Sequence, residues 1–244
     1  MRRATEQVMT EAAAAGIWVV LGSAHPLGDG LKPHNSRYVI DDAERLRERY
    51  DKRFCSGDPD ETIGDLAHYT PGDHASVWQV RDLTRAALIC YDCRFPELDR
   101  DLLRRGAQLV LHSFHTAGLP AGRVAAIAEQ IGPGDAELNR AETLSYPAVT
   151  LPAAMTTAAA CNHLWISAAN SSAAHSLWPA MFVRADGITT GRLPRESPGV
   201  LISEVDTTER LYDATAHWRG RALAGVWHSG TTTRHPRSRD RTRL

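Results

Sequence analysis

Residues 85–113, "RAALICYDCRFPELDRDLLRRGAQLVLHS", read as strand, turn, helix and second strand. An apolar run ends at Cys90, and Pro96 suits a first helical position, where a missing N–H leaves nothing unpaired. Gly106 closes the helix, and residues 107–113 turn apolar and extended again. Two strands joined through one helix pair in parallel, and a sheet of that kind needs helices laid over it. The unit therefore predicts an α/β fold.

The flanking sequence fits that class. Residues 4–15 predict a helix stopped by Gly16, and residues 17–24 and 36–42 predict strands. Residues 43–54 are charged and suit either a helix or a turn leading into a strand; residues 57–73 are a turn-rich loop. Residues 76–90 hold two strands around a turn at Arg81–Asp82. Between Thr116 and Thr150, glycine, proline and alanine obscure any periodicity. A helix follows over 152–163, with strands at 164–170 and 199–206 and a hairpin turning at Asp186–Gly187. No fixed-period repeat or internal boundary is visible, so a single domain over 1–230 is expected, trailed by a basic, solvated and mobile tail, 231–244.

Composition narrows the partners. A net charge of −1 gives the chain as a whole no pull toward nucleic acid or an anionic membrane surface. No apolar run approaches the roughly 18 residues of a membrane span. The N-terminal residues read as an amphipathic helix rather than a secretion signal, and four cysteines are too few for a disulfide scaffold. A cytoplasmic location is expected.

The pair Cys90 and Cys93 allows several chemistries. Zinc would need Cys90 and Cys93 joined by His112 and His115. A redox pair fits the strand-to-helix context, but Asp92 between the sulfurs disfavours a thiolate. Either cysteine could be a small buried hydrophobe, which suits Cys93 best. Cys90 sits at the carboxyl end of a strand before a helix N-terminus, where ligands bind in open α/β sheets and where anions are favoured. A lone nucleophile at Cys90 is the strongest of these readings.

"LICYDCRFPEL" resembles the nucleophile motif of the nitrilase superfamily, the carbon–nitrogen hydrolases. "RYDKRF" resembles the family's lysine segment, "YTPGD" its turn before the nucleophile hairpin, and "LWISAANSS" and "FVRADGITTGRL…GVLISEVD" its later strands. The likeness spans about residues 8–210. It implies an α-β-β-α sandwich that pairs with a second copy through helices, and cleavage of a small amide, carbamoyl compound or nitrile without metal or organic cofactor.

Residue by residue, the resemblance makes Cys90 the nucleophile and Lys52, with the backbone N–H of Tyr91, the oxyanion hole. Asp65 stands where the family usually has a second glutamate, to position Lys52 or share the proton work. Arg94 is expected to anchor the nucleophile turn or line the pocket, Glu97 to brace the turn, and Asp92 to accept structural hydrogen bonds. His112, Phe114 and His115 leave the next strand at the same edge and are candidate pocket residues. Asn170 is expected to be structural. The family's glutamate base belongs to a Pro-Glu motif on a strand upstream of Met1. The fold is therefore expected to be N-terminally incomplete, either as a truncated enzyme or as an impaired binding or assembly protein.

Overall fold

The protein is described by a computed structural model covering residues 2–115, 121–132, 146–174, 176–239 and 242. Helix α1 (Arg2–Ala15) precedes strands β1 (Val19–His25), β2 (His34–Ile40) and β3 (Leu46–Asp51). These form an antiparallel sheet in the order β1-β2-β3. The charged stretch 43–54 resolves as turn then strand. The Asp41 carboxylate accepts the Ala43 and Arg45 N–H groups at 3.0 and 2.9 Å, and Glu44 takes φ +58°. That local capping sends the chain back along β2 instead of into a helix.

The second sheet holds β4 (Val77–Val80), β5 (Leu83–Ile89), β6 (Leu109–Phe114), β7 (Trp165–Asn170), β8 (Met181–Val183) and β9 (Thr189–Arg192), neighbours in chain order. β5, β6 and β7 run parallel, and the outer pairings are antiparallel. The parallel centre is what the strand–helix–strand unit required. Its hairpins turn where expected, at Arg81 (φ +55°) and at Gly187 (φ +87°). Gly187 is also space-limited: a Cβ there would lie 2.8 Å from that of Ala160.

Among the described residues the remaining helices are α2 (Pro96–Arg104), α3 (Ala121–Ile131), α4 (Tyr146–Asn162), α5 (Ala216–Leu223) and α6 (Pro236–Arg239). α4 begins earlier than expected and carries Pro152 inside it. Leu98 and Leu102 of α2 and Leu151, Met155 and Ala159 of α4 join Leu88, Val110 and Ile166 of the large sheet in one buried cluster. Val39 and Tyr50 of the small sheet enter the same cluster, so the two sheets share a core. Ala12 of α1 packs with Tyr38 and Ile40 on the far face of the small sheet. The layers follow as helix, sheet, sheet, helix. Among the described residues no helix is long and apolar enough to cross a membrane.

One expected strand is absent. Residues 199–206 form neither helix nor strand and join neither sheet. Leu201 and Val205 pack against Leu109, Trp165 and Phe182, while Val200 and Ile202 are 85% and 89% exposed. Alternation sorted the side chains into two faces, but a strand also needs a neighbour to take its N–H and C=O groups. The tail residues 231–238 are exposed, and the single turn of α6 lies among them.

Candidate active site

β5 ends at Ile89, and a 3₁₀ turn, Cys90–Arg94, leads into α2. Cys90 adopts φ +50°, a left-handed conformation uncommon for a residue with a side chain. Asp92 explains how the turn holds. Its buried carboxylate accepts from the Ile89 N–H at 2.9 Å, the Phe54 N–H at 2.9 Å and the Tyr50 hydroxyl at 2.7 Å. Burial nonetheless raises its pKa above the ordinary aspartate value. The structural role expected of Asp92 is the one it fills, and it braces the turn in place of Glu97, which is exposed. Sequence reading missed Tyr50, although it lies inside the lysine segment, because a tyrosine before a charged run has no signature of a long-range partner.

The same carboxylate ties the nucleophile turn to the lysine segment, since Tyr50 and Phe54 flank Lys52. Lys52 is 1% exposed, so it is no solvated surface lysine. Its Nζ donates to Asp65 Oδ2, and its backbone N–H donates to the Asn35 carbonyl at 2.9 Å. The "YTPGD" turn clamps it from the other side, where the Gly72 N–H donates to the Lys52 carbonyl at 2.8 Å. A Cβ at Gly72 would collide with the Asp51 carbonyl, so the glycine is needed for this approach.

Burial alone would lower the Lys52 pKa, but negative charge at Cys90, Asp65 and Asp92 and the hydrogen bond to Asp65 hold it above the ordinary lysine value. Lys52 is thus a retained ammonium, electrostatically coupled to the Cys90 sulfur. Burial pushes Asp65 upward, yet the Lys52 ion pair and the Ser56 N–H, which donates to Oδ2 at 3.1 Å, hold it below the usual carboxylate range.

The other candidates hold different places, apart from His112 and Phe114, whose rings lie 5.9 Å apart. Tyr91 follows Cys90 in the turn; its ring is half-exposed and meets Phe95 edge-on at 5.3 Å, while Phe95 stacks on Phe54 at 3.6 Å. Arg94 Nη1 donates to Thr150 Oγ1 at 2.6 Å, tying the turn to α4. Phe114 is buried in the main core, and His115 is exposed beyond β6. His112 is buried, opposite Leu88 in the β5–β6 register. Burial and the positive charges of Arg37 and Lys52 push its pKa down to about 3, against a hydrogen bond to the Cys90 backbone that works the other way. Asn170 donates to Ser176 Oγ at 3.0 Å and to the Trp178 carbonyl, inside the loop after β7.

Cys93 packs against the main core, and burial pushes its thiol up to about 12. Among the described residues no three His, Cys, Asp or Glu side chains are grouped so as to hold a metal ion, so Cys90, Cys93, His112 and His115 do not form the zinc set considered from sequence.

This combination of two packed sheets, an end-of-strand cysteine and a buried lysine–carboxylate pair defines a class. The carbon–nitrogen hydrolase family model matches residues 3–212, and the chain belongs to that family. No curated protein matches it significantly. Among solved structures, an amidase from Nesterenkonia sp. aligns with TM-score 0.60 at 21% identity, covering 81% of this chain and 64% of that one. The NitN amidase from strain AN1 aligns with TM-score 0.65 at 20% identity, over 92% and 75% of the two chains. A glutamate variant of that strain's amidase, with the acetamide moiety of fluoroacetamide added covalently at its active-site cysteine, gives TM-score 0.59 at 21% identity over 80% and 64%. At these identities the likeness establishes the fold. The present chain spans 64% of the first of these amidases.

Proposed function

We propose that the chain hydrolyses the carbon–nitrogen bond of a small linear amide through a thioester on Cys90, with carbamoyl compounds and nitriles as neighbouring substrate classes. The observation that carries this reading is a left-handed Cys90 at a strand end, coupled to a buried, charged Lys52. The Cys90 sulfur forms a bond to the carbonyl carbon, and the carbonyl electrons move onto oxygen. Lys52 and the Tyr91 N–H would stabilise that oxyanion, a contribution worth about 10²–10³ in rate per donor in other enzymes. The C–N bond then breaks, the amine or ammonia leaves carrying the proton given up by the Cys90 thiol, and water adds to the thioester, releasing the acid and returning a proton to the sulfur. Asp65 keeps Lys52 charged and in place. The family resemblance extends the proposal to a homodimer or higher homo-oligomer packed through its helices, and the composition to a cytoplasmic location.

A second reading, a binding or assembly protein on the same scaffold, is favoured by Asp65 itself. A carboxylate held below its usual range by Lys52 and Ser56 is a poor base and a poorer acid for the leaving amine. Ammonia release from a panel of short amides separates the two. The hydrolase reading expects release that Cys90→Ala abolishes and Lys52→Met lowers by about 10² or more. Release that survives Cys90→Ala contradicts it, and binding of the panel without turnover supports the second reading.

A further inference from the structure

We propose that His112 is a positioning residue for Cys90: its Nδ1–H holds the Cys90 carbonyl, and its Nε2 accepts from one water buried between the ring and the Asp99 carboxyl. The proposal rests on reading Cys90 as the nucleophile.

The strained residue comes first. A φ of +50° at Cys90 persists only where the surroundings over-determine it. Asp92 fixes the Ile89 N–H on one side of Cys90. On the other side the Cys90 carbonyl is reached by the buried His112 ring. Holding the backbone at the Ile89 N–H before Cys90 and at the Cys90 carbonyl after it restricts the direction of the Cα–Cβ bond, and so where the sulfur points relative to Lys52.

The tautomer follows from the neighbours. Arg37 from β2 and Lys52 beyond β3 bring positive charge to the ring and disfavour a second proton on it. A neutral imidazole has one N–H. The Cys90 carbonyl takes it, so the other nitrogen is an acceptor. His112 Nε2 is buried and has no partner among the described residues. The His112 side chain shares a cavity of about 10 Å³ with Leu88, Val110, Met155, Cys93 and Asp99, about the room one water occupies.

Asp99 supplies the water's second polar partner. It is buried on the inner face of α2, where an apolar residue would otherwise pack, and desolvation pushes its pKa up to about 7. A water donates to Nε2 whether Asp99 is protonated and donates to it, or ionised and accepts from it. The chain Asp99–water–His112–Cys90 carbonyl therefore keeps its sense across that range.

Ring ¹⁵N NMR of the unaltered chain tests the tautomer whether or not any variant folds. His112 is expected as the neutral Nδ1–H form, still neutral at pH about 5, where an ordinary histidine is charged. The Nε2–H tautomer, or a charged ring at that pH, overturns the proposal. A second arm reads the iodoacetamide alkylation rate of Cys90 by peptide mapping. His112→Asn keeps an N–H toward the carbonyl and is expected to stay near the wild-type rate, whereas His112→Phe is expected to be about fivefold slower. No slowing in His112→Phe, or equal slowing in both variants, overturns the positioning role. If wild-type Cys90 reacts no faster than Cys93, the nucleophile reading itself fails, and this is seen before any His112 variant is compared.

Discussion

The turn Cys90–Arg94 and the run 199–206 have equally plain sequence patterns and opposite outcomes. In the turn, one carboxylate gathers three donors from the strand end and the lysine segment. In the run, alternation places Leu201 and Val205 inward, but no strand among the described residues pairs with it. Apolar patterning settles which face of a segment is buried. A fixed backbone requires hydrogen-bond partners; the turn has them, and among the described residues the run has no strand beside it to supply them.

Breaking the Asp92 brace should be the most damaging change. Asp92→Ala leaves the Tyr50 hydroxyl and the Ile89 and Phe54 amides without their acceptor, and at about 1–3 kcal/mol for each group left unsatisfied the loss should reach about 4 kcal/mol. Thermal unfolding checks it; a loss below about 1 kcal/mol would mean the turn holds no better than the run. Gly72→Ala should cost about 2 kcal/mol in a urea titration, because its Cβ must displace the Asp51 carbonyl behind Lys52.

Asp99 gives a pH-dependent contrast. Its folded pKa, about 7, stands above the ordinary 3.8, so between those values the folded state binds more protons than the unfolded one. Stability contributed by this group therefore falls as pH rises from 3.8 to about 7 and is level beyond. Asp99→Asn should remove that decline, leaving the variant relatively more stable at pH about 8 than at pH about 4; unfolding midpoints across that range that keep the wild-type slope would contradict the assignment. The smallest effect belongs to the run: Ile202→Thr should change stability by less than about 0.5 kcal/mol, since the side chain is almost wholly exposed.

Much of this fold was legible in the sequence because its signals are local. Pro96 and Gly106 bracket α2, Asp186–Gly187 turns the last hairpin, and the apolar runs on either side of α2 are the parallel centre of the large sheet. Residues 43–54 stayed ambiguous because the Asp41 side chain, rather than periodicity, decides them. At the site, Cys90 and Lys52 stood out by motif, and Lys52 is buried with its ammonium on Asp65. The partnership of Tyr50 with Asp92, residues 42 apart, and the shared cavity of His112 and Asp99 depend on how two sheets and a helix meet. No spacing rule encodes such contacts. Phe114 and His115 share a strand end with His112, but alternation puts only Phe114 on the buried face of His112, their rings 5.9 Å apart, while His115 lies past the strand's end and is exposed.

The central claim is that the Cys90 sulfur is held ready beside the Lys52 ammonium at the open end of the large sheet. Incubation with limiting fluoroacetamide, followed by peptide mapping, tests it most directly. The acetamide group should form its bond to Cys90 with loss of fluoride, ahead of Cys55 and Cys93, whose thiols burial pushes up to about 11 and about 12. Label reaching Cys55 or Cys93 first, or a Cys90 that stays unmodified while the chain remains folded, would contradict the account.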